Sequence, residues 1–242
     1  MDDTTPVRAG TAAWWLARTE KADDRPRRRR MLSLDLIADT ALSVLDSEGA
    51  DALTMRRLAH ELRCSQASLY RHITSRDELV VVAMDRAVGQ GLHAPPEGLG
   101  WRRTVEWQAH SFRDFLLAHP GLVAFIRGTE RLGPSSLSGM EHSLGQFIAI
   151  GLSVREAYAT ASAFATFVVG SVQFNMGVDT ANPDEQRLRR RLYEGLDPQR
   201  YPILVANAEE LSRVGSREEF EFGLAALLDA IEARITPRRP GP

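Results

Sequence analysis

One cysteine, Cys64, stands in 242 residues, which excludes an internal disulfide framework and a multi-cysteine metal site. Lysine is almost missing, 1 against 29 arginines, a bias that reads as genome composition rather than function. The six histidines are scattered without the HxxxH spacing of a metal site, so no metal and no cofactor is expected. HExxH, GxSxG, a P-loop and a glycine-rich phosphate cradle are all absent, which removes the usual signatures of a helical or nucleotide-dependent enzyme. Asp77 and Glu78 lie together at a helix start and suit capping better than acid–base work. No apolar run approaches about 18 residues, so no membrane span is expected. Before residue 31 the only dense apolar cluster is Trp14, Trp15 and Leu16, with acids and bases around it. That is not a signal peptide, and a cytoplasmic location is the expectation. No stretch alternates apolar and polar residues long enough for a strand.

What is present is ordinary globular composition, 43% apolar and 26% charged, with a polarised charge distribution. Residues 25–76 hold 10 Arg against 6 Asp and Glu, whereas residues 77–242 hold 17 Arg against 21. A basic segment on an acidic body suggests a polyanionic partner for one end only. Breaker spacing predicts an all-α chain of roughly nine or ten helices. Residues 1–30 read as a disordered basic extension with a short helix near 12–17 and an arginine run at Arg25 and Arg27 to Arg30. From Ser33 an apolar stripe of Leu34, Ile37, Ala38, Ala41 and Leu45 marks a helix capped by Ser33 and stopped by Gly49. Four S-x-x-E capping boxes mark later helix starts at Ser75, Ser138, Ser153 and Ser216. Residues 128–135 read as a connector, and 179–200 as a solvated loop with a helical turn.

The informative stretch is LTMRRLAHELRCSQASLYRHITSRDEL, Leu53 to Leu79. Two short helices, Thr54 to Leu62 and Ser65 to His72, are separated by only two or three residues, which is helix-turn-helix spacing. Met55, Leu58, Ala59, Leu62, Cys64 and Leu69 form the buried set between them. Ser65, Gln66, Ala67 and Ser68 remain outside on the second helix. Short side chains let a backbone approach base edges, and glutamine is a bidentate partner for adenine. Tyr70, Arg71 and His72 supply donors for phosphate oxygens, although Tyr70 also suits a core aromatic.

The pattern LxxRxLAxxLxxSxxSLYRHxxSRDEL resembles the DNA-binding domain of the tetracycline-repressor (TetR) family over residues 33 to about 80. SFRDFLLAHPG, FVVGSV and the segment 220–228 resemble the body of the tetracycline-repressor branch. The resemblance implies an N-terminal three-helix helix-turn-helix domain at 31–78, followed by a larger helical ligand-binding and dimerisation domain at 79–242. It implies that Arg56 and Gln66 read bases and that Ala67 touches a thymine methyl. Thr54, Ser68, Tyr70, His72 and Arg76 would hold phosphates, with Ser65 and Arg71 also among the expected DNA contacts. Where the family usually has glycine in the inter-helix turn this chain has Arg63, which costs roughly 1 kcal/mol if its φ is positive.

In the body, Ser153 to about Met176 is apolar on nearly all sides and Ser216 to Ile235 carries a second apolar stripe. The resemblance implies that both pair with their two-fold mates in a homodimer; the alternative is ordinary monomer core. It also implies a cavity touched by Gln108, Phe112, Met140, Ser143, Phe147 and Phe164, each of which could equally be core. Ile126 and Gln173 fall where tetracycline repressors place a metal-binding His and Glu, so a different, apolar small molecule is expected. The whole reads as a ligand-responsive repressor of a palindromic DNA operator, not an enzyme. A DNA-binding protein of the same fold without a ligand is the competing reading.

Overall fold

The computed structural model describes residues 7–23, 32–91, 94–123, 125–126, 132–176 and 180–235, with backbone only at 20–23. Among the described residues there are thirteen α-helices, one 3-10 turn and no strand, more helices than breaker spacing predicts. The arginine run Arg25 and Arg27 to Arg30 lies outside the described residues, as does the first half of the 128–135 connector. Two compact units divide between Ala149 and Ile150.

In the first unit, α2 (Leu34–Glu48) starts on Ser33, whose Oγ accepts the Leu36 amide, and stops at Gly49 with φ 83°. That left-handed φ is one glycine adopts without strain. A 3-10 turn at Ala50–Ala52 leads to α3 (Met55–Glu61), α4 (Gln66–Tyr70) and α5 (Arg76–Gly91). One apolar cluster joins them: Ile37, Leu45, Leu58, Leu69, Ile73 and Leu79 are at most 1% exposed. Leu34, expected in the α2 stripe, is instead 36% exposed, because the buried face runs through Ile37, Ala38, Ala41, Leu42 and Leu45. The expected boundary at residue 78 falls inside α5, whose Leu79, Val80, Ala83 and Ala87 belong to the same core as α2–α4. Leu122 of α7 (Pro120–Val123) joins that core, and Phe115 of α6 (Trp101–Ala118) packs against it.

The N-terminal segment carries a 12-residue helix, α1 (Ala12–Asp23), longer than the short turn expected there. Helix α8 (Pro134–Ala149) starts four residues before the predicted Ser138 cap. A carboxylate from another helix supersedes that local signal. Asp85 of α5 accepts the amides of Ser135 and Ser136 at 3.1 and 3.0 Å, and the Ser136 hydroxyl at 2.9 Å. Orphan amides at a helix start can be satisfied by any acceptor within reach.

In the second unit, α9 (Val154–Asn175) has the complete Ser153–Glu156 capping box. It runs antiparallel to α13 (Ser216–Ile235): Glu156 lies 3.8 Å from Arg234, and the Phe167 and Phe220 rings stack at 5.3 Å. A Cβ on Gly223 would come within 2.5 Å of the Phe167 ring, so this close approach requires glycine. By length and composition α9 could cross a membrane, contrary to the expectation from apolar runs. Serines, threonines and a glycine interrupt its apolar run without adding charge. Its Ala157, Ala161, Phe164, Val168 and Val172 are buried within the chain. Residues 179–200, expected as a loop, instead hold α10 (Pro183–Glu194), capped by Asn182 with Pro183 in the first turn. It packs with α11 (Pro202–Ala206) and α12 (Ala208–Arg213).

Candidate nucleic-acid interface

The recognition element is short. Helix α4 has five residues, shorter than the predicted Ser65 to His72, and opens on Ser65, whose Oγ accepts the Ser68 amide at 3.1 Å. Its underside is Leu69, fully buried, with Ile73 beyond it. Leu62 and Cys64 pack partly buried against the same core, so the expected buried set is assembled. Gln66, Ala67 and Arg71 are exposed, and Tyr70 is 46% exposed, which sets its ring outside the core. Ser68 is half-buried and its Oγ accepts from Arg71 at 3.0 Å. His72 is half-buried at the end of this face.

Helix α3 braces it. Thr54 caps α3 by accepting the Arg57 amide at 3.1 Å, and Arg56 is exposed on the first turn. Arg57 turns the other way, bridging Glu48 at 2.6 Å and Glu61 at 2.7 Å. Hydrogen bonds to Glu48 and then Glu61 raise its already high pKa and hold Glu48 below the ordinary carboxylate range. Two bridged carboxylates leave Arg57 a brace between α2 and α3. The turn between α3 and α4 passes through Arg63 at φ 48°, the left-handed conformation that the missing glycine foreshadowed.

One expected backbone-holding residue has different employment. Arg76 donates from Nε to the Leu53 carbonyl and from Nη2 to the Ala50 carbonyl, both at 2.8 Å, and its guanidinium lies 5.5 Å from the Phe125 ring centroid. These bonds clamp the 3-10 turn to α5, and the Ala50 carbonyl also accepts the Leu53 amide at 3.3 Å. Arg76 thus has a structural role at this turn while its residue remains exposed at the start of α5. The acceptors are over 20 residues away, which no local pattern reveals.

The six cavity candidates fall in both units and are described separately. In the first, Gln108 and Phe112 are half-buried one turn apart on α6. Met140, Ser143 and Phe147 lie at i, i+3 and i+7 on α8, one helix face. Phe147 is buried, and the Ser143 hydroxyl donates to the Gly139 carbonyl at 2.9 Å. In the second unit Phe164 is buried on α9. Sequence reading missed Gln146. Its Nε2 pairs with His142 at 2.8 Å, while its buried Oε1 has no hydrogen-bond partner among the described residues. Among the described residues no group of His, Cys, Asp and Glu is arranged to hold a metal.

The family described as "Bacterial regulatory proteins, tetR family" matches residues 37–83, and the "Tetracyclin repressor-like, C-terminal domain" matches residues 94–235. The chain is 30% identical over 228 residues to the HTH-type transcriptional repressor DrrR1 of Streptomyces coeruleorubidus, covering 89% of this chain and 83% of that one. It is 27% identical over 213 residues to the class E tetracycline repressor protein of Escherichia coli, with 87% and 96% covered. Among solved structures it is similar to the Streptomyces coelicolor TetR family protein ActR in complex with actinorhodin. The TM-score there is 0.73 and the identity 32%, with 84% of this chain and 98% of that one covered.

Proposed function

The chain belongs to the TetR family of transcriptional regulators, and from that premise we propose that it is a repressor that grips a palindromic operator as a homodimer and lets go when a small molecule binds. The observation that carries the DNA half is the division of α4 into a fully buried Leu69 and an exposed Gln66, Ala67, Tyr70 and Arg71. In the major groove Gln66 pairs with an adenine edge and Ala67 meets a thymine methyl, while Arg56 reaches a neighbouring base. Tyr70, Arg71 and His72 hold phosphates and fix the register, with Thr54, Ser65 and Ser68 framing the two helix starts.

The ligand half rests on α8. This helix carries Met140, Ser143 and Phe147, and Gln146 Oε1 offers an unused acceptor to a ligand hydroxyl or N–H. With Gln108 and Phe112 of the same unit these residues form a mainly apolar set with few polar groups, the usual character of small-molecule pockets, and Phe164 on α9 is a separate candidate contact of the second unit. Ile126 and Gln173 provide no metal anchors, so the inducer is not a metal chelate. Relatives include tetracycline repressors and a protein solved with actinorhodin, and a polycyclic molecule of that size is the class to screen first.

Release works through α5. Its start shares the core of the reading head, and its Asp85 holds the first amides of α8. A ligand that moves α8 therefore pulls on the helix that carries the head. Two heads must present their recognition helices about 34–36 Å apart, and a ligand favouring another spacing shifts the population off DNA. A coupling of about 1–3 kcal/mol makes operator binding roughly 5- to 150-fold weaker, and DNA must weaken ligand binding by the same factor. The test is a ligand found by thermal shift and titrated into the operator complex. A ligand that stabilises the protein by several degrees and leaves operator affinity unchanged contradicts induction.

A further inference from the structure

Helix α1 does not stand apart from the reading head. Trp14 is 7% exposed, and its Nε1 donates to Glu78 Oε1 at 3.0 Å, across 64 residues of sequence. The second oxygen of the same carboxylate accepts the Thr74 amide at 2.8 Å, and the Glu78 amide itself donates to Ser75 Oγ at 3.1 Å. Arg18, one turn further along α1, places its guanidinium 5.1 Å from the Trp14 ring centroid and its Nη2 3.5 Å from the His72 carbonyl. The hydrogen bonds from α1 end on residues 72–78, the turn that leaves the recognition helix and starts α5.

That turn matters because α4 is only five residues long. A helix of that length has little cooperative stiffness of its own, so its direction is set by what holds its two ends. At the front it has the Ser65 cap and the strained Arg63 turn. At the back it has the His72 and Ile73 amides on the Leu69 carbonyl, followed at once by Thr74 on Glu78. Burial pushes the Glu78 carboxyl up, but the Thr74 and Trp14 hydrogen bonds and the Arg18 charge outweigh it and hold the group below its ordinary pKa. The carboxylate is therefore ionised near neutral pH, an acceptor of charge-assisted bonds.

We propose that α1 is a working part of the reading head and that Trp14 is a positioning residue, aiming the recognition helix through its hydrogen bond to Glu78. Trp14 touches no base in this account. It fixes the carboxylate that fixes the Thr74 amide, and through that turn it sets the angle at which Gln66 and Ala67 meet the groove. Mis-aiming should damage base readout and spare the sequence-independent attraction to phosphates, because the two draw on different contacts. The proposal rests on the DNA-binding reading above, and its test separates the two.

The experiment uses the full chain and a site selected by the wild-type protein from a random duplex pool. Affinities for that site and for a random duplex are measured at one salt concentration, beside the melting temperature of each variant. Trp14→Phe keeps the ring and removes only the N–H. It should lower the ratio of site to random affinity about fivefold, the size of one modest hydrogen bond, with random-duplex affinity within about twofold of wild type. Trp14→Ala should lower the ratio further; if it does not fold, Trp14→Phe decides. A folded Trp14→Phe with a lower melting temperature and the wild-type ratio makes α1 mere scaffolding and overturns the proposal. A wild-type protein that selects no site overturns the DNA-binding reading as well, whereas an unchanged ratio in the variant overturns this inference alone.

Discussion

Around α2–α5 most large apolar side chains are hidden, with Ile37, Leu53, Leu58, Leu69, Ile73 and Leu79 all at 0% exposure, and the exposed ones, Leu34, Leu36 and Tyr70, reach at most 46%. In the second unit the balance reverses: Phe174 is 90% exposed, Phe222 79% and Tyr158 57%, although α9 and α13 already bury a face against each other. The head is complete within one chain and offers side chains suited to a wet, charged partner. The helical layer of the second unit is incomplete alone and offers side chains suited to an apolar one. Large exposed apolar patches mark association surfaces, and a single helix-turn-helix head covers only half of a two-fold site. The difference supports the proposal that DNA meets the first region and a second copy of the chain meets the other.

The comparison breaks most visibly at the second region. Tyr158→Asp combined with Phe222→Asp should give monomers by light scattering and weaken operator binding by at least about 100-fold, because the second half-site contact is no longer linked to the first. A double variant that remains dimeric at micromolar concentration removes the assigned role of these faces. Val168, at 2% exposure inside one chain, is the wrong place to test assembly. A charge there would report folding.

At the head the expected effects are smaller and more selective. Gln66→Ala should cost roughly 1–3 kcal/mol on the preferred site and relax preference at one base pair. Tyr70→Phe should weaken all sequences alike. Competition binding against single-base variants of the site separates these outcomes, and a uniform loss for Gln66→Ala would remove its assignment as a base reader.

Smaller again is the joint between head and body. Asp85→Ala removes the acceptor for two α8 amides and should lower stability by about 1–2 kcal/mol, the range of a lost helix cap. In denaturant titration, no change would mean that another acceptor holds the start of α8. Smallest is Arg63→Gly, which should stabilise the protein by about 1 kcal/mol by relieving the φ 48° strain. A lower midpoint would show that the Arg63 side chain contributes more than its backbone conformation costs.

How much of this was legible in the sequence divides along the same physical line. Ser33, Thr54 and Ser153 cap their helices through bonds to amides three residues on, so a local pattern revealed them. The length of α9 and α13 followed from their apolar pattern, and the left-handed Arg63 from the absence of glycine. The failures share one cause, a partner distant in sequence. Helix α1 read as only a short helix near 12–17 because its anchor, Glu78, is 64 residues away. Helix α8 starts early because Asp85 reaches it from α5, 50 residues back. The carbonyl partners of Arg76 were not legible because they precede it by 23 and 26 residues. Helix α10 failed differently: it is charged on most sides, so it offered no apolar period, though Asn182–Pro183 is a start signal.

The central claim is that α4 reads sequence for a two-fold protein. The most direct measurement is a footprint of the full chain on the site it selects from a random duplex pool, at physiological salt with random duplex as competitor. The account predicts an imperfect palindrome whose half-sites are protected about 34–36 Å apart, or a multiple of that, and an affinity at least about 1,000-fold above random DNA. Equal affinity for the selected and random duplexes, or protection of one half-site by a monomer, would contradict it.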